Sequence, residues 1–513
     1  MGFLESLALY LIAWALLVLV AYLLRRDLVK GLVVIMWSSE RAAQFITKIS
    51  KRLSFVPLRI YVAVALLLFL LAAYSPYFPI PAGLGVAYMP GFAYLLVGST
   101  YQAAAALAGG ASVQEAALIG GQAGAVPLLP GITIPWDQLP YIALAVAVGV
   151  ALHEFLHGYA AVRFGIKLKT AGVFSAFFVA SGAFVEPDDK ELKESSLVAK
   201  LAVFASGVAA NVALALAALA IYLIGVNLGL GGAVLTNINA PTHQLGLEQG
   251  DIVKAVNGCG ISTKIAVPAQ LLSVLNKLVG NPYGAPLCDP NQTITLIIQR
   301  GSNELVQDVP AAALMRGAEI LGLVYNGPLY RAGVRPGDVL TAIYGCGGVY
   351  RIYSSGQLLQ TLQNIVERDL CKPGDEIIVT VVRNNTAINY TVILGVNPSN
   401  TSRPFFGIYT NGLGEIGFNT QLLNISLFSN TLFVKIIMWF FLINLGLAMI
   451  NALPIYPLDG GLLVQSLLER ALGERGARLA IYVISLAFAA FLIFDSALGF
   501  MGGIYKEVFN LLK

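Results

Sequence analysis

Long apolar runs dominate the chain. Six of them approach the length of a membrane crossing: Phe3–Leu24, Tyr61–Tyr74 with its flanks, Tyr141–Val162, Leu201–Ile224, Leu432–Leu453 and Leu479–Phe494. About 20 apolar helical residues span the hydrocarbon layer of a bilayer. Phe3–Leu24 has no basic stretch before it and no small-residue cleavage pattern, so it reads as a retained helix rather than a signal peptide. Between Asn227 and Asn430 the pattern changes. Short apolar–polar alternations there lie between glycine turns, with one helical pattern near Pro268–Leu278 and another near Gln357–Glu367. That mixture marks compact modules of strands and helices. The predicted fold is a polytopic α-helical membrane protein of about six transmembrane helices, with a pair of α+β domains inserted between the fourth and fifth spans.

Composition agrees with the pattern. Hydrophobic residues make up 57% of the 513 and charged residues 12%, about half the charged share of a soluble domain. Mean hydropathy is +0.75. The net charge of +4 is small, and no basic run is interleaved with aromatics, so no nucleic-acid partner is expected. The lysines and arginines orient the spans instead, because basic loops stay in the cytoplasm. Arg25–Arg59 is basic, Arg163, Lys167 and Lys169 follow the third span, and Arg470, Arg475 and Arg478 precede the sixth. Ala73–Pro140 carries no lysine or arginine. This alternation puts residues 227–430 on the outer side.

The outer segment contains a tandem repeat. "APTHQLGLEQGDIVKAVNGCG" from Ala240 aligns with "GPLYRAGVRPGDVLTAIYGCG" from Gly327 at an offset of 87, and Arg300 aligns with Arg383 at an offset of 83. All four cysteines lie here, which suits an oxidising compartment. Four cysteines allow three pairings. Cys288 and Cys371 share the offset of 83, so each copy holds its own pair and the repeat favours Cys259–Cys288 and Cys346–Cys371. Sequons occur at Asn291, Asn384, Asn389, Asn400 and Asn424. The stretch "AGVRPGDVLTAI" resembles the PDZ domains appended to membrane and periplasmic proteases. The resemblance implies grooves that take an extended peptide as an added strand. The alternative is a pair of β modules that only space the helices.

The third span carries His153-Glu154-Phe155-Leu156-His157. Residues four apart share a helix face, so both imidazoles can reach one metal ion while Glu154 reaches the water such an ion holds. The chain has three histidines, and two of them make this motif. The bland alternative is a pair of helix histidines satisfied by neighbouring polar groups. Ionisable side chains at membrane depth are usually functional, which favours a metal. A catalytic zinc site usually takes three protein ligands. Asp459, in "NALPIYPLDGG", follows the fifth span at the same cytoplasmic depth, and Asp495 competes from the outer end of the last span. The other role open to Asp459 is an N-cap for the helix over Leu462–Leu472.

"HEFLH" at His153, "GAFVEPDD" at Gly182, "GVAAN" at Gly207 and "NALPIYPLDG" at Asn451 occur in an order that resembles the site-2 proteases, a family of intramembrane zinc metalloproteases. The resemblance covers Tyr141–Ile224 and Leu432–Leu472 and extends to the PDZ-like insert. It implies one zinc ion per chain held by His153, His157 and Asp459, with Glu154 as general base. It implies substrate contacts for Asn451 and Asn211. Many members have glycine where this chain has Leu156. The implied function is hydrolysis of peptide bonds within or near transmembrane segments of membrane proteins, with the lipid bilayer as the other partner. The apolar stretch Lys169–Pro187 then predicts a re-entrant hairpin able to pair with an extended substrate, and Leu84–Pro135 a second inserted element. The implied organisation is an N-terminal membrane region over 1–140, core halves over 141–226 and 431–513, and PDZ-like domains over 227–325 and 326–430. A metal-regulated transporter or a catalytically inactive scaffold are the competing classes.

Overall fold

The computed structural model describes residues 3–24, 29–30, 34–74, 78–82, 85–89, 92–109, 134, 136–176, 180–236, 246–279, 287–289, 291–311, 317–320, 323–353, 355–383, 386–397, 400–408, 418–420 and 428–501. In chain order these begin with α1 (Phe3–Leu24), β1 (Val29–Lys30), β2 (Val34–Ser39), α2 (Glu40–Arg52), α3 (Leu58–Tyr74), β3 (Phe78–Ala82), β4 (Gly85–Met89) and α4 (Phe92–Ala108). Then come α5 (Leu139–Arg163), β5 (Leu168–Ala176), β6 (Ala180–Pro187), α6 (Asp189–Glu194) and α7 (Leu197–Asn227). The insert holds β7 (Ala233–Leu235), β8 (Ile252–Gly258), β9 (Ile261–Lys264), α8 (Pro268–Val279), β10 (Thr293–Arg300), β11 (Asn303–Pro310), β12 (Ala318–Ile320) and α9 (Pro328–Ala332). It continues with β13 (Val339–Gly345), β14 (Gly348–Arg351), α10 (Ser355–Glu367), β15 (Glu376–Arg383), β16 (Thr386–Ile393), β17 (Gly395–Asn397), β18 (Asn400–Phe405), β19 (Phe418–Thr420) and β20 (Phe428–Asn430). Two helices close the chain, α11 (Leu432–Asn451) and α12 (Asp459–Met501). The chain divides into two compact units, one of residues 1–227 with 434–512 and one of residues 228–433.

In the first unit, four helices among the described residues are long and apolar enough to cross a membrane: Trp136–Arg163, Leu197–Asn227, Leu432–Asn451 and Asp459–Leu498. Trp14–Leu23, Leu58–Tyr74 and Leu95–Ala108 are shorter apolar helices. The last long helix bends at Gly473, whose φ of 67° breaks the helical path, and this separates the Leu462–Leu472 stretch from the sixth predicted span. α7 is the central helix and packs against α3, α5 and α12. Its buried face is built from Ala199, Ala202, Ala205, Gly207, Ala210 and Ala215 among others, and such small residues let helix backbones approach closely. Leu67, Leu479 and Leu486 are 66–73% exposed, an uncovered apolar surface of the kind that meets lipid.

Of the expected hairpin over Lys169–Pro187, β5 and β6 are described and pair antiparallel. They belong to a larger sheet of order β1-β2-β5-β6. The basic stretch Arg25–Arg59, which reads as a loop from its charge, holds β1, β2 and α2. Met36 and Trp37 pair with Phe174 and Val173, an apolar run that basic neighbours disguise as a loop. Among the described residues β6 is one edge of this sheet, with no strand on its outer side. Within Leu84–Pro135, β4 and α4 are the described elements, and 84, 90–91, 110–133 and 135 lie outside the described residues.

The second unit holds two similar modules. The sheet orders are β11-β10-β8-β7-β20, with β9 on β8, and β16-β15-β13-β12-β19, with β14 on β13. Each has its own core, with Val256, Leu275 and Ile294 in the first and Ile343, Leu358 and Val379 in the second. The repeated Gly-Asp and Arg have the same job in both. Asp251, 1% exposed, takes the Arg300 guanidinium at 2.8 Å, and Asp338, 1% exposed, takes Arg383 at 2.6 Å. Each carboxylate also accepts a loop N–H, from Glu248 and from Arg335. Burial pushes the Asp251 carboxyl up, but Arg300 and the Glu248 N–H outweigh it and hold it below the usual carboxylate value.

The sulfurs of Cys259 and Cys288, and of Cys346 and Cys371, are at bonding distance. This is the pairing that the repeat favours. Cys259 and Cys346 both have left-handed φ, 50° and 51°, in matching Gly-Cys-Gly turns. Asn291, Asn389 and Asn400 are exposed, while Asn384 and Asn424 lie outside the described residues. Phe428–Asn430, which the sequence groups with the second module, pairs with β7 of the first, and Ala318–Glu319, which it groups with the first, pairs with β13 of the second.

Candidate metal centre

α5 begins with Pro140 in its first turn and ends where Phe164 N–H reaches back to Ala160 and Ala161, followed by Gly165 at φ 80°. His153 and His157 lie in the last three turns before that end, and both are buried. Their rings stack edge to face, 4.7 Å apart, with the Nε2 atoms 3.0 Å from each other. Asp459 comes from the first turn of α12, far along the chain. Its Oδ2 lies 3.2 Å from His153 Nε2 and 3.3 Å from His157 Nε2. One ligand atom from each of the three residues falls within 4.8 Å of the others. Asp459 is the first residue of its helix and not the N-cap, so the capping alternative does not describe it.

The surroundings test whether these atoms suit a cation. His157 Nδ1 lies 2.7 Å from the Val203 carbonyl. A carbonyl only accepts, so Nδ1 carries the hydrogen and Nε2 of the neutral ring is left with a lone pair. His153 Nδ1 lies 2.6 Å from Asn211 Oδ1. The Asn211 amide orientation is itself fixed, because its Nδ2 donates to the Gly149 carbonyl at 3.1 Å and to Asn444 Oδ1 at 3.0 Å. Asn444 is fixed in turn, since its Nδ2 donates to the Phe440 carbonyl at 2.8 Å. Backbone carbonyls at both ends therefore set one tautomer for His153, again with the lone pair on Nε2. Two imidazole lone pairs and a carboxylate oxygen converge with no hydrogen between them, which is a donor set for a cation such as zinc.

Space is reserved at the same point. A Cβ added to Gly207 would fall 2.2 Å from His157 Nε2 and 2.6 Å from His153 Nε2. A Cβ at Gly149 would fall 2.5 Å from Asn444 Oδ1. Glycine at both positions lets α7 lie under the ligand atoms and α11 reach the Asn211 amide. Glu154 lies between the histidines' turn and the sheet. Its Oε2 accepts the Val185 N–H at 2.9 Å, a donor on the open edge of β6.

Asn211 is fully buried, with its amide oxygen at His153 Nδ1 and its Nδ2 on the Gly149 carbonyl. Asn451 donates to the Leu447 carbonyl of its own helix at 3.1 Å. Asp495 is not part of the cluster, because its carboxylate accepts from Ser99 on α4. The sequence reading missed Gly207's steric role, Gly149, Asn444 and Val185. Asn444 had a signal, a lone amide in the middle of an apolar span. A cavity of about 720 Å³ is lined by Tyr456, Leu462, Ser466, Lys200, Glu469 and Arg478 among others, and Leu462 is three residues from Asp459.

The profile of Peptidase family M50 matches residues 141–494. An uncharacterized protein of Methanocaldococcus jannaschii is 30% identical over 138 residues, which is 27% of this chain and 36% of that protein. The chain thus spans about a third of the length of that relative. The M50 match takes in α5, α7, the insert, α11 and most of α12, so both halves of the candidate centre fall within it. By that match the chain belongs to peptidase family M50, the site-2 protease family of membrane zinc metalloproteases.

Proposed function

We propose that the protein is an intramembrane zinc metalloendopeptidase that hydrolyses peptide bonds in or next to transmembrane segments of membrane proteins. The observation that carries this is the set of three converging ligand atoms, His153 Nε2, His157 Nε2 and Asp459 Oδ2, in a member of a metalloprotease family. A zinc ion held there supplies Lewis acidity to a scissile carbonyl and makes water a better nucleophile near neutral pH.

The chain's own residues do the rest. His153 and His157 hold the ion through nitrogens whose lone pairs are set by Asn211 and the Val203 carbonyl. Glu154 takes the proton of the attacking water and passes it to the leaving amine. The Val185 N–H holds one Glu154 oxygen in place. An extended substrate strand laid along the open edge of β6 would run beside that carboxylate, in the manner of strand addition. A helical substrate must unwind to do so, because its carbonyls are already bonded within the helix. The cavity beside Leu462 and Ser466, with Lys200, Glu469 and Arg478 in its wall, supports a route for water. The apolar runs support a six-span arrangement, and the distribution of lysine and arginine supports the cytoplasmic depth of the centre and the outward placement of the modules.

The test uses purified protein and a model single-span substrate. Glu154→Gln is expected to keep its zinc and to lose about 10²-fold or more in cleavage rate. Unchanged cleavage by that variant sinks the proposal.

A further inference from the structure

The two modules share one feature that the repeat does not require. β7 and β12, which resemble the groove strand of a PDZ-like fold, are already paired on their outer edges. Phe428, Ser429 and Asn430 stand opposite Leu235, Val234 and Ala233. Phe418, Asn419 and Thr420 stand opposite Ile320, Glu319 and Ala318. Both pairings are antiparallel, and the register is the same in the two modules. Each added strand also touches the helix of its module, β20 against α8 and β19 against α10. A strand between an edge strand and a helix is the position that a peptide takes in strand-addition recognition.

The sequence shows why both grooves are filled alike. Phe-Asn-Thr at 418–420 recurs ten residues later as Phe-Ser-Asn at 428–430. A tandem repeat of modules is matched by a tandem repeat of short strands, each a phenylalanine followed by two polar residues. Asn430 is 5% exposed, so the end of β20 is buried in its module.

We propose that residues 418–420 and 428–430 are internal ligands of the two grooves, and that an extended peptide with the same phenylalanine-polar-polar pattern binds the modules by displacing them. The inference rests on the PDZ-like reading of the modules and adds the identity of the resident occupant. Each resident strand is only three residues long and holds its place through its tether, which gives it an effective concentration on the order of millimolar. A longer free peptide offers more backbone pairs and can compete.

The test uses the full chain and a fluorescent synthetic peptide with the sequence Phe418–Thr431. In one variant, Asn419→Pro and Ser429→Pro with Phe418→Gly and Phe428→Gly remove both resident strands. In a second, Glu319→Cys with Asn419→Cys and Val234→Cys with Ser429→Cys place thiols at opposed positions and lock the strands on oxidation. The peptide is expected to bind the first variant about tenfold or more tightly than the wild type, and not to bind the oxidised second variant. Equal binding to all three forms overturns the internal-ligand inference while leaving peptide-binding grooves intact. No binding to a folded, strand-deleted variant overturns the groove reading as well. Should that variant unfold, the lock decides alone, and unchanged binding on oxidation overturns the inference. Because the readout is binding, a failure of the protease proposal would not mimic any of these results.

Discussion

Gly207 shows how much of the candidate centre depends on atoms that are absent. Its missing side chain leaves open the point on which His153 and His157 converge. Gly207→Ala is expected to displace His157 and strip the metal, read as zinc per chain by elemental analysis. A fully loaded alanine variant would contradict the placement of the ion. Asn211 acts from behind. Asn211→Ala removes the acceptor that fixes the His153 tautomer and leaves the Gly149 carbonyl and Asn444 without their partner. Zinc affinity is expected to fall about 10–100-fold, measured by competition with a chelator. An unchanged affinity together with a raised KM would favour the substrate-contact role that the sequence suggested. His153, Glu154 and His157 were legible from spacing alone, since one helical turn brings i and i+4 together. The role of Gly207 was not, because a glycine in an apolar helix reads the same whether it faces lipid or a ligand atom.

Among the elements, the sheet of β1, β2, β5 and β6 matters most to the site. It brings an open strand edge to Glu154, with the Val185 N–H pointing away from β5 and into the carboxylate. Proline is tolerated on an edge strand where its missing N–H is not part of the ladder. Val185→Pro is therefore expected to keep the fold and the zinc but to slow cleavage roughly tenfold or more, a part of the 10²–10⁴ that a general base contributes. Normal turnover by that variant would remove Val185 from the mechanism. The hairpin itself was legible as an apolar run between charged ends. Its pairing with Met36 and Trp37 was not, since strand partners more than 100 residues apart leave no local pattern.

Across the whole molecule, the two units have separate cores, one of helices and one of two β modules. The disulfides Cys259–Cys288 and Cys346–Cys371 both lie in the second unit. Reduction and alkylation are expected to destabilise each module by about 2–5 kcal/mol while the zinc content stays unchanged. Limited proteolysis and metal analysis on the same sample check both halves. Simultaneous loss of the metal would show that the units are not independent in stability.

The sequence by itself determined the division into apolar spans and an insert, the repeat that favours its cysteine pairing, and the two imidazoles four residues apart with Glu154 between them. These rest on composition, period and spacing, which are properties of neighbours along the chain. Only the tertiary structure decided that Asp459 rather than Asp495 meets the histidines, that Asn211 and Asn444 orient one of them, and that residues 418–420 and 428–430 fill the edges of two modules. Each of those is a contact between distant segments, settled by which helix faces and strand edges are left to pair once the local elements have formed.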